Sequence, residues 1–132
     1  MKNIMLVGLL LLICSSCSKN LSTTINSGST WILTEWPGKA LPSSGRATLS
    51  IGEGNRVGGK SFCNTYGGTA TINGNAIQFS QLIGTKMYCA DFATAEDGYL
   101  SDLQKVNAGR IAAGKLYLLK DEQVLLIFRK QQ

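Results

Sequence analysis

Residues 69–79 read Thr-Ala-Thr-Ile-Asn-Gly-Asn-Ala-Ile-Gln-Phe. Two short alternating runs flank an Asn-Gly pair. Such a pair tolerates the two positive φ angles of a type I′ turn, whose twist matches that of its strands. This hairpin commits the chain to antiparallel β structure, and the same grammar recurs on both sides of it. Trp31-Ile32-Leu33-Thr34-Glu35-Trp36 reads as a first strand that stops at Pro37-Gly38. Arg46 to Ile51 alternates with period two and puts Ala47, Leu49 and Ile51 on one face. Gly52 to Asn55 is a turn, and Arg56 to Phe62 returns as a glycine-rich strand. Arg110 to Ala112, Lys115 to Leu119 and Val124 to Phe128 follow, with turns at Gly114 and at Asp121-Glu122. The last run is almost continuously apolar, which predicts cover on both faces. Fifteen glycines against two prolines suit many short strands joined by tight turns.

One helix is predicted late in the chain. Thr94-Ala95-Glu96-Asp97 offers a threonine cap and a carboxylate near the positive end of the helix dipole. Tyr99, Leu100, Leu103 and Val106 then recur at helical spacing, and Asn107 and Gly109 can end the helix. Roughly eight short strands with one inserted helix predict a mainly β fold, a curled antiparallel sheet or partly open β-barrel that closes on the helix.

The N-terminus sets the compartment. Lys2 precedes ten apolar residues from Ile4 to Ile13, followed by Ser15-Ser16-Cys17. A membrane-spanning helix needs about 18 or more such residues, so residues 1–16 read as a secretory signal. The junction resembles the lipobox of bacterial lipoproteins, which implies that Cys17 carries the lipid. Cys14 fits worse, because Ile13 would occupy the position that wants a small residue. Residues 17–29, rich in Ser, Thr and Asn, read as the lipidated cysteine and a flexible tether, and 30–132 as the domain. Ser18, rather than Asp, follows the cysteine and leans sorting towards the outer membrane, facing the periplasm.

Cleavage before Cys17 would leave 116 of the 132 residues and lower the net charge from +5 to +4 with the loss of Lys2. That length suits one small domain. The cations are scattered and the chain is exported, so nucleic acid is not an expected partner; a modest basic excess can favour an anionic membrane surface. Cys63 and Cys89 remain as an even pair in an oxidising compartment. A disulfide is the leading reading, with two buried free thiols as the alternative. No histidine is present. Two cysteines alone do not make a zinc site, and a serine nucleophile has no imidazole base. The carboxylates Glu53, Glu96, Asp102, Asp121 and Glu122 fall at turns or helix faces and read as surface groups. Neither a metal nor a cofactor is expected, and the chain reads as a non-enzyme.

Val57-Gly58-Gly59-Lys60-Ser61-Phe62-Cys63-Asn64-Thr65-Tyr66-Gly67-Gly68, followed by Gly84-Thr85-Lys86-Met87-Tyr88-Cys89, carries the strongest identity signal. It resembles the META/HslJ-like domain family, whose pattern is G-x-x-x-C-N-x-x-x-G and then T-x-M-x-C. Gly59, Cys63, Asn64 and Gly68 match the first part, and Thr85, Met87 and Cys89 match the second. Trp31-Ile32-Leu33 supplies the family's early W-x-L, and the similarity runs from about Thr30 to Lys130. Phe62 departs from the pattern, since many members carry glycine there. The resemblance implies a role in envelope stress without fixing a molecular activity.

Physically, Gly67 and Gly68 could supply backbone conformations closed to other residues. Asn64 could bond its own turn, and Thr85 the same loop. The motif then either staples the sheet or shapes one rim of a small pocket, with Tyr66, Met87 and Tyr88 as candidate lining. Two functions follow. One is a module that binds an envelope protein, marked by an exposed aromatic such as Tyr99 or Trp36. The other is a carrier of a small apolar molecule or lipid on the concave face of the sheet, which needs a cavity of ~300 Å³ or more.

Overall fold

The computed structural model describes residues 20–25 and 28–132. The expected signal at 1–16 and the lipid site Cys17 lie outside the described residues. Eight strands run β1 (Thr30–Glu35), β2 (Arg46–Ile51), β3 (Arg56–Phe62), β4 (Asn64–Asn73), β5 (Ala76–Gly84), β6 (Ala108–Ala112), β7 (Lys115–Lys120) and β8 (Gln123–Lys130). Helix α1 (Leu21–Ile25) precedes them, and α2 (Ala93–Lys105) lies between β5 and β6.

Each strand pairs antiparallel with the next, and β8 returns to β1, so the sheet closes into a ring. Closure pairs both sides of most strands, which limits exposed edges. The ring is not a regular barrel. β5 and β6 meet at one pair, Ala76 opposite Ala108, and α2 packs beside the rest of β5. The mainly β class and the single long helix follow the sequence.

Period-two alternation fills the interior. Ala47, Leu49 and Ile51 are buried as expected, and Leu116, Leu118, Leu126 and Phe128 face them from β7 and β8. From α2, Tyr99 and Leu103 enter the same core. β8 corrects one expectation. Leu126 and Phe128 are buried, while Val124, Leu125 and Ile127 are only half-buried, so one face of this apolar strand stays partly open.

Several boundaries also differ from the sequence reading. Asn73 pairs with Ala76, so the hairpin's central residues are Gly74 and Asn75, one step later than predicted. Gly74 has φ 62° and Asn75 does not have a positive φ, the sign pattern of a type II′ turn with glycine first. Thr94 does not cap α2; the N-cap position is Phe92, with no side-chain bond. Val106 ends the helix by turning extended, at φ −59° and ψ 133°. Gly109 belongs to β6. A Cβ there would sit 2.8 Å from Leu21 Cδ2, so this glycine makes room for α1.

That contact corrects the tether. Within the segment 17–29, Leu21–Ile25 is helical, and Leu21 and Ile25 are fully buried in the core. Leu21 N–H donates to Asn75 Oδ1 at 3.2 Å, and Ser22 N–H to the Gly74 carbonyl at 3.3 Å. The hydrophilic neighbours Ser22, Thr23 and Thr24 hid this i, i+4 apolar pair. α1 therefore packs against the end of the ring formed by the β4–β5 turn and β6. Leu21→Ala should lower unfolding free energy by about 3 kcal/mol in denaturant titration, as for a buried core leucine. A tether residue would change it by less than about 0.5 kcal/mol.

Candidate functional site

At the opposite end of β4 and β5 from α1, the β3–β4 reversal meets the segment 84–92. The reversal is very tight. β3 ends at Phe62 and β4 begins at Asn64, leaving only Cys63 between them. Phe62 takes φ 72°, a left-handed conformation that costs a side-chain-bearing residue roughly 1–2 kcal/mol and suits glycine. Its ring offsets that cost. It is buried against Trp36, Phe92 and Tyr99, with centroids 6.1, 6.4 and 6.0 Å away. This packing accounts for a phenylalanine at a backbone conformation that suits glycine.

Asn64 is buried and reaches across to the next segment, not back into its own turn. Its Oδ1 accepts from Thr85 Oγ1 at 2.8 Å and from Met87 N–H at 2.8 Å, and its Nδ2 donates to the Met87 carbonyl at 2.9 Å. Thr85 Oγ1 in turn accepts from Thr65 N–H at 3.2 Å. Cys63 and Cys89 are joined by a disulfide with Cα atoms 6.2 Å apart. The two halves of the sequence motif are thus fastened by one covalent bond and a carboxamide clamp.

The glycines act by close approach. A Cβ on Gly59 would overlap the Thr48 carbonyl oxygen and lie 3.1 Å from Tyr66 Oη. Its absence lets Tyr66 Oη donate to that carbonyl at 2.7 Å. Neither Gly67 nor Gly68 has positive φ, and both lie inside β4. A Cβ on Gly68 would sit 2.8 Å from Leu82 Cδ2 and 2.8 Å from the Ser80 carbonyl oxygen. Gly68 faces a bulge in β5, where the register shifts between Gly67 and Thr69 and Gln81 takes φ 54°.

The bulge has a consequence at the surface. Ile77 and Phe79 point inward, and unbroken alternation would bury Ile83 too. The extra residue shifts the phase, so Leu82 turns towards the core and Ile83 is 76 % exposed. Met87 and Tyr88 beside it are 64 % and 85 % exposed. These three side chains rim a groove of about 520 Å³, with Leu82 and Leu100 along its wall and Lys86, Glu96 and Asp97 at its margin. Asn64, Thr85, Met87 and Cys89 line the same groove. The family motif therefore both staples the sheet and builds the rim.

Other expected residues lie elsewhere. Tyr66 is core, with its hydroxyl 2.9 Å from that of Tyr99. Trp36 and Tyr99, the aromatics whose exposure would have marked a docking face, are both buried. Asp102 is not a surface carboxylate. It is 4 % exposed and accepts from Trp36 Nε1 at 2.8 Å and Lys39 Nζ at 3.0 Å, fixing α2 to the end of β1. Ile83 escaped the sequence reading because its orientation depends on the bulge. Among the described residues no group of three or more His, Cys, Asp or Glu side chains could hold a metal ion.

The fold and the site define the chain as a ring-shaped β domain with a stapled apolar rim. The chain matches the META domain family model over residues 23–132 and belongs to that family. META domains are not a known enzyme family. No curated protein matches the chain. Among solved structures, an NMR structure of a protein from Burkholderia xenovorans is similar at 22 % identity and TM-score 0.71, covering 84 % of this chain and 86 % of that one. A crystal structure of a duf4847 family protein from Bacteroides vulgatus is similar at 14 % identity and TM-score 0.61, covering 84 % and 99 %. Both likenesses concern the fold.

Two outcomes test the site. Asn64→Ala removes three hydrogen bonds and should cost about 2–4 kcal/mol in denaturant titration. Replacing both cysteines by serine should cost about 3.5 kcal/mol for the 26-residue separation. The tyrosine pair sets an alkaline limit. Burial raises the Tyr66 phenol well above its usual value. Burial and then the neighbouring Tyr66 do the same for Tyr99. The unfolded phenols ionise near pH 10 while the folded ones stay protonated. Stability should therefore be intact below that pH and fall above it, by up to about 1.4 kcal/mol per pH unit per phenol. Urea titrations across this range check the slope, and Tyr99→Phe should lessen it.

Proposed function

We propose that this chain is a lipid-anchored protein of the cell envelope, held through Cys17 in the outer membrane and facing the periplasm. It acts without catalysis as an interaction module in the envelope stress response. The docking element is the Ile83–Met87–Tyr88 rim, which presents its apolar surface to an envelope protein.

The observation that carries this reading is large apolar exposure on a fastened segment. A mobile loop would lose conformational freedom on binding, whereas a pre-ordered one loses little. The lipobox-like junction supports the address, and the family resemblance supports the stress role. Cargo transport finds less support. The concave interior is occupied by the fully buried Tyr99, Phe128, Leu118 and Leu126.

A photo-crosslinking residue at Tyr88, expressed in the native envelope, should yield one discrete adduct that disappears in an Ile83→Ser, Met87→Ser background. The same probe at exposed Thr71 should yield none. Adducts of equal strength at both positions, or no adduct at Tyr88, contradict the docking reading. Intact mass of the envelope-extracted chain should show an acylated N-terminal Cys17. An unmodified mature chain contradicts the anchor and leaves the docking test standing.

A further inference from the structure

The outer surface of the ring carries a basic face that the rim does not use. On β7 and β8, Lys115 stands opposite Arg129. Arg129 stands opposite Ile32 on β1, and Ile32 opposite Thr48 on β2. Thr48 Oγ1 accepts from Lys60 N–H at 2.9 Å, which brings β3 into the same row. Arg46 lies beside Thr48, and Lys130 closes the row at the end of β8. Two shallow grooves of about 520 and 530 Å³ join along this face at Gln131, and no Asp or Glu side chain lines either. Lys115 has one ion pair, with Glu35 at 3.4 Å. Among the described residues Arg46, Lys60, Arg129 and Lys130 have none. Ile32 sits half-buried among them.

The chain's entry places this face. The Thr30 carbonyl accepts from Gln131 N–H at 2.8 Å, so β1 begins at the border of the two grooves. α1 packs at the same end of the ring, against the Gly74 turn and β6. Cys17 is four residues before the buried Leu21. At a maximum of ~3.5 Å per residue, a lipid on Cys17 holds this end of the domain within about 14 Å of the bilayer. Exposed charges interact over roughly 8–10 Å at physiological salt.

We propose that this face, spanning β7, β8, β1, β2 and β3, is the surface on which the domain rests on an anionic bilayer. The proposal adds an orientation to the lipid-anchored reading and rests on it. The lipid supplies the first attachment and the unpaired cations supply the second, a combination that holds a peripheral protein where a single signal holds it weakly. β5, which carries the rim of Ile83, Met87 and Tyr88 at its end, stands opposite β1 in the order of the ring, so the rim lies on the far side of the ring from the centre of the basic face. Resting on the basic face keeps the rim clear of the membrane.

The test uses the mature chain, residues 17–132, with Cys17→Ser, so that neither a lipid nor the apolar run Ile4 to Ile13 contributes. Partition is measured into phosphatidylcholine vesicles with and without phosphatidylglycerol, and the readout is the ratio of the two. Lys60→Gln with Arg129→Gln should lower that ratio roughly 30-fold, about fivefold for each charge. Lys105→Gln with Lys120→Gln removes the same charge away from the face and should change it less than about threefold. Thermal melts confirm that both variants fold. Equal partition into both vesicle types overturns the proposal, as does equal loss in the two variants. If heparin holds the chain more tightly than the anionic vesicles, with the same dependence on Lys60 and Arg129, the face reads a soluble polyanion and the bilayer assignment falls. Failure of the anchor itself would show separately, as unmodified Cys17 in the intact mass.

Discussion

The carboxamide of Asn64 is the contact on which the rest of this molecule's surface depends. It is buried, and it spends both a donor and an acceptor on the Met87 backbone. A buried amide is costly if unpaired and stabilising when satisfied. Its position is fixed by the tight β3–β4 reversal, where Ser61 pairs with Asn64. The Cys63–Cys89 disulfide then ties the far end of the same segment. A stretch without regular secondary structure thereby becomes a fixed platform, and its exposed Met87 and Tyr88 become surface features with a defined place.

The platform relies on the ring beneath it. Tyr66 and Tyr99 converge on the Thr48 carbonyl, at 2.7 and 3.1 Å, joining β4 and α2 to β2. Asp102 joins α2 to Trp36 at the end of β1. α2 is thus fixed at two points beside β5, where the sheet's own pairing is thinnest. Each polar group is buried with a partner, so these links specify one placement of the helix, since a shifted helix would leave them unsatisfied. The rim on β5 and the basic face centred on β1 lie on different sides of the ring, which suits a domain held on one side and engaged on the other.

Much of the fold was legible because it follows from period-two patterning. Ala47, Leu49 and Ile51 read inward and are inward. The spacing of Tyr99 and Leu103 read as a helical stripe and is one. What stayed hidden depends on contacts distant in sequence. The hairpin turn moved by one residue because Gly74 adopts the first central position, a choice that Asn-Gly alone leaves open. Gly68 read as a source of backbone freedom, but it is needed because β5 bulges against it. That bulge cannot be read from residues 76–84 themselves, yet it decides that Ile83 faces solvent. Leu21 and Ile25 were masked by polar neighbours, and their docking site exists only because Gly109 lacks a side chain. Asp102 read as a surface acid because its partner Trp36 is 66 residues away.

The clamp was the most legible part of the site, since its residues recur in a motif, though the direction of Asn64's bonds was not. Amide hydrogen exchange at Met87 tests the central claim most directly. Its N–H lies in an exposed segment without strand or helix pairing, and its protection comes from Asn64 Oδ1 at 2.8 Å. The account expects exchange at least ~100-fold slower than in an unstructured chain, as a population opening against about 3 kcal/mol requires. Exchange at the unstructured rate would contradict it, because the rim would then be a mobile loop and not a prepared surface.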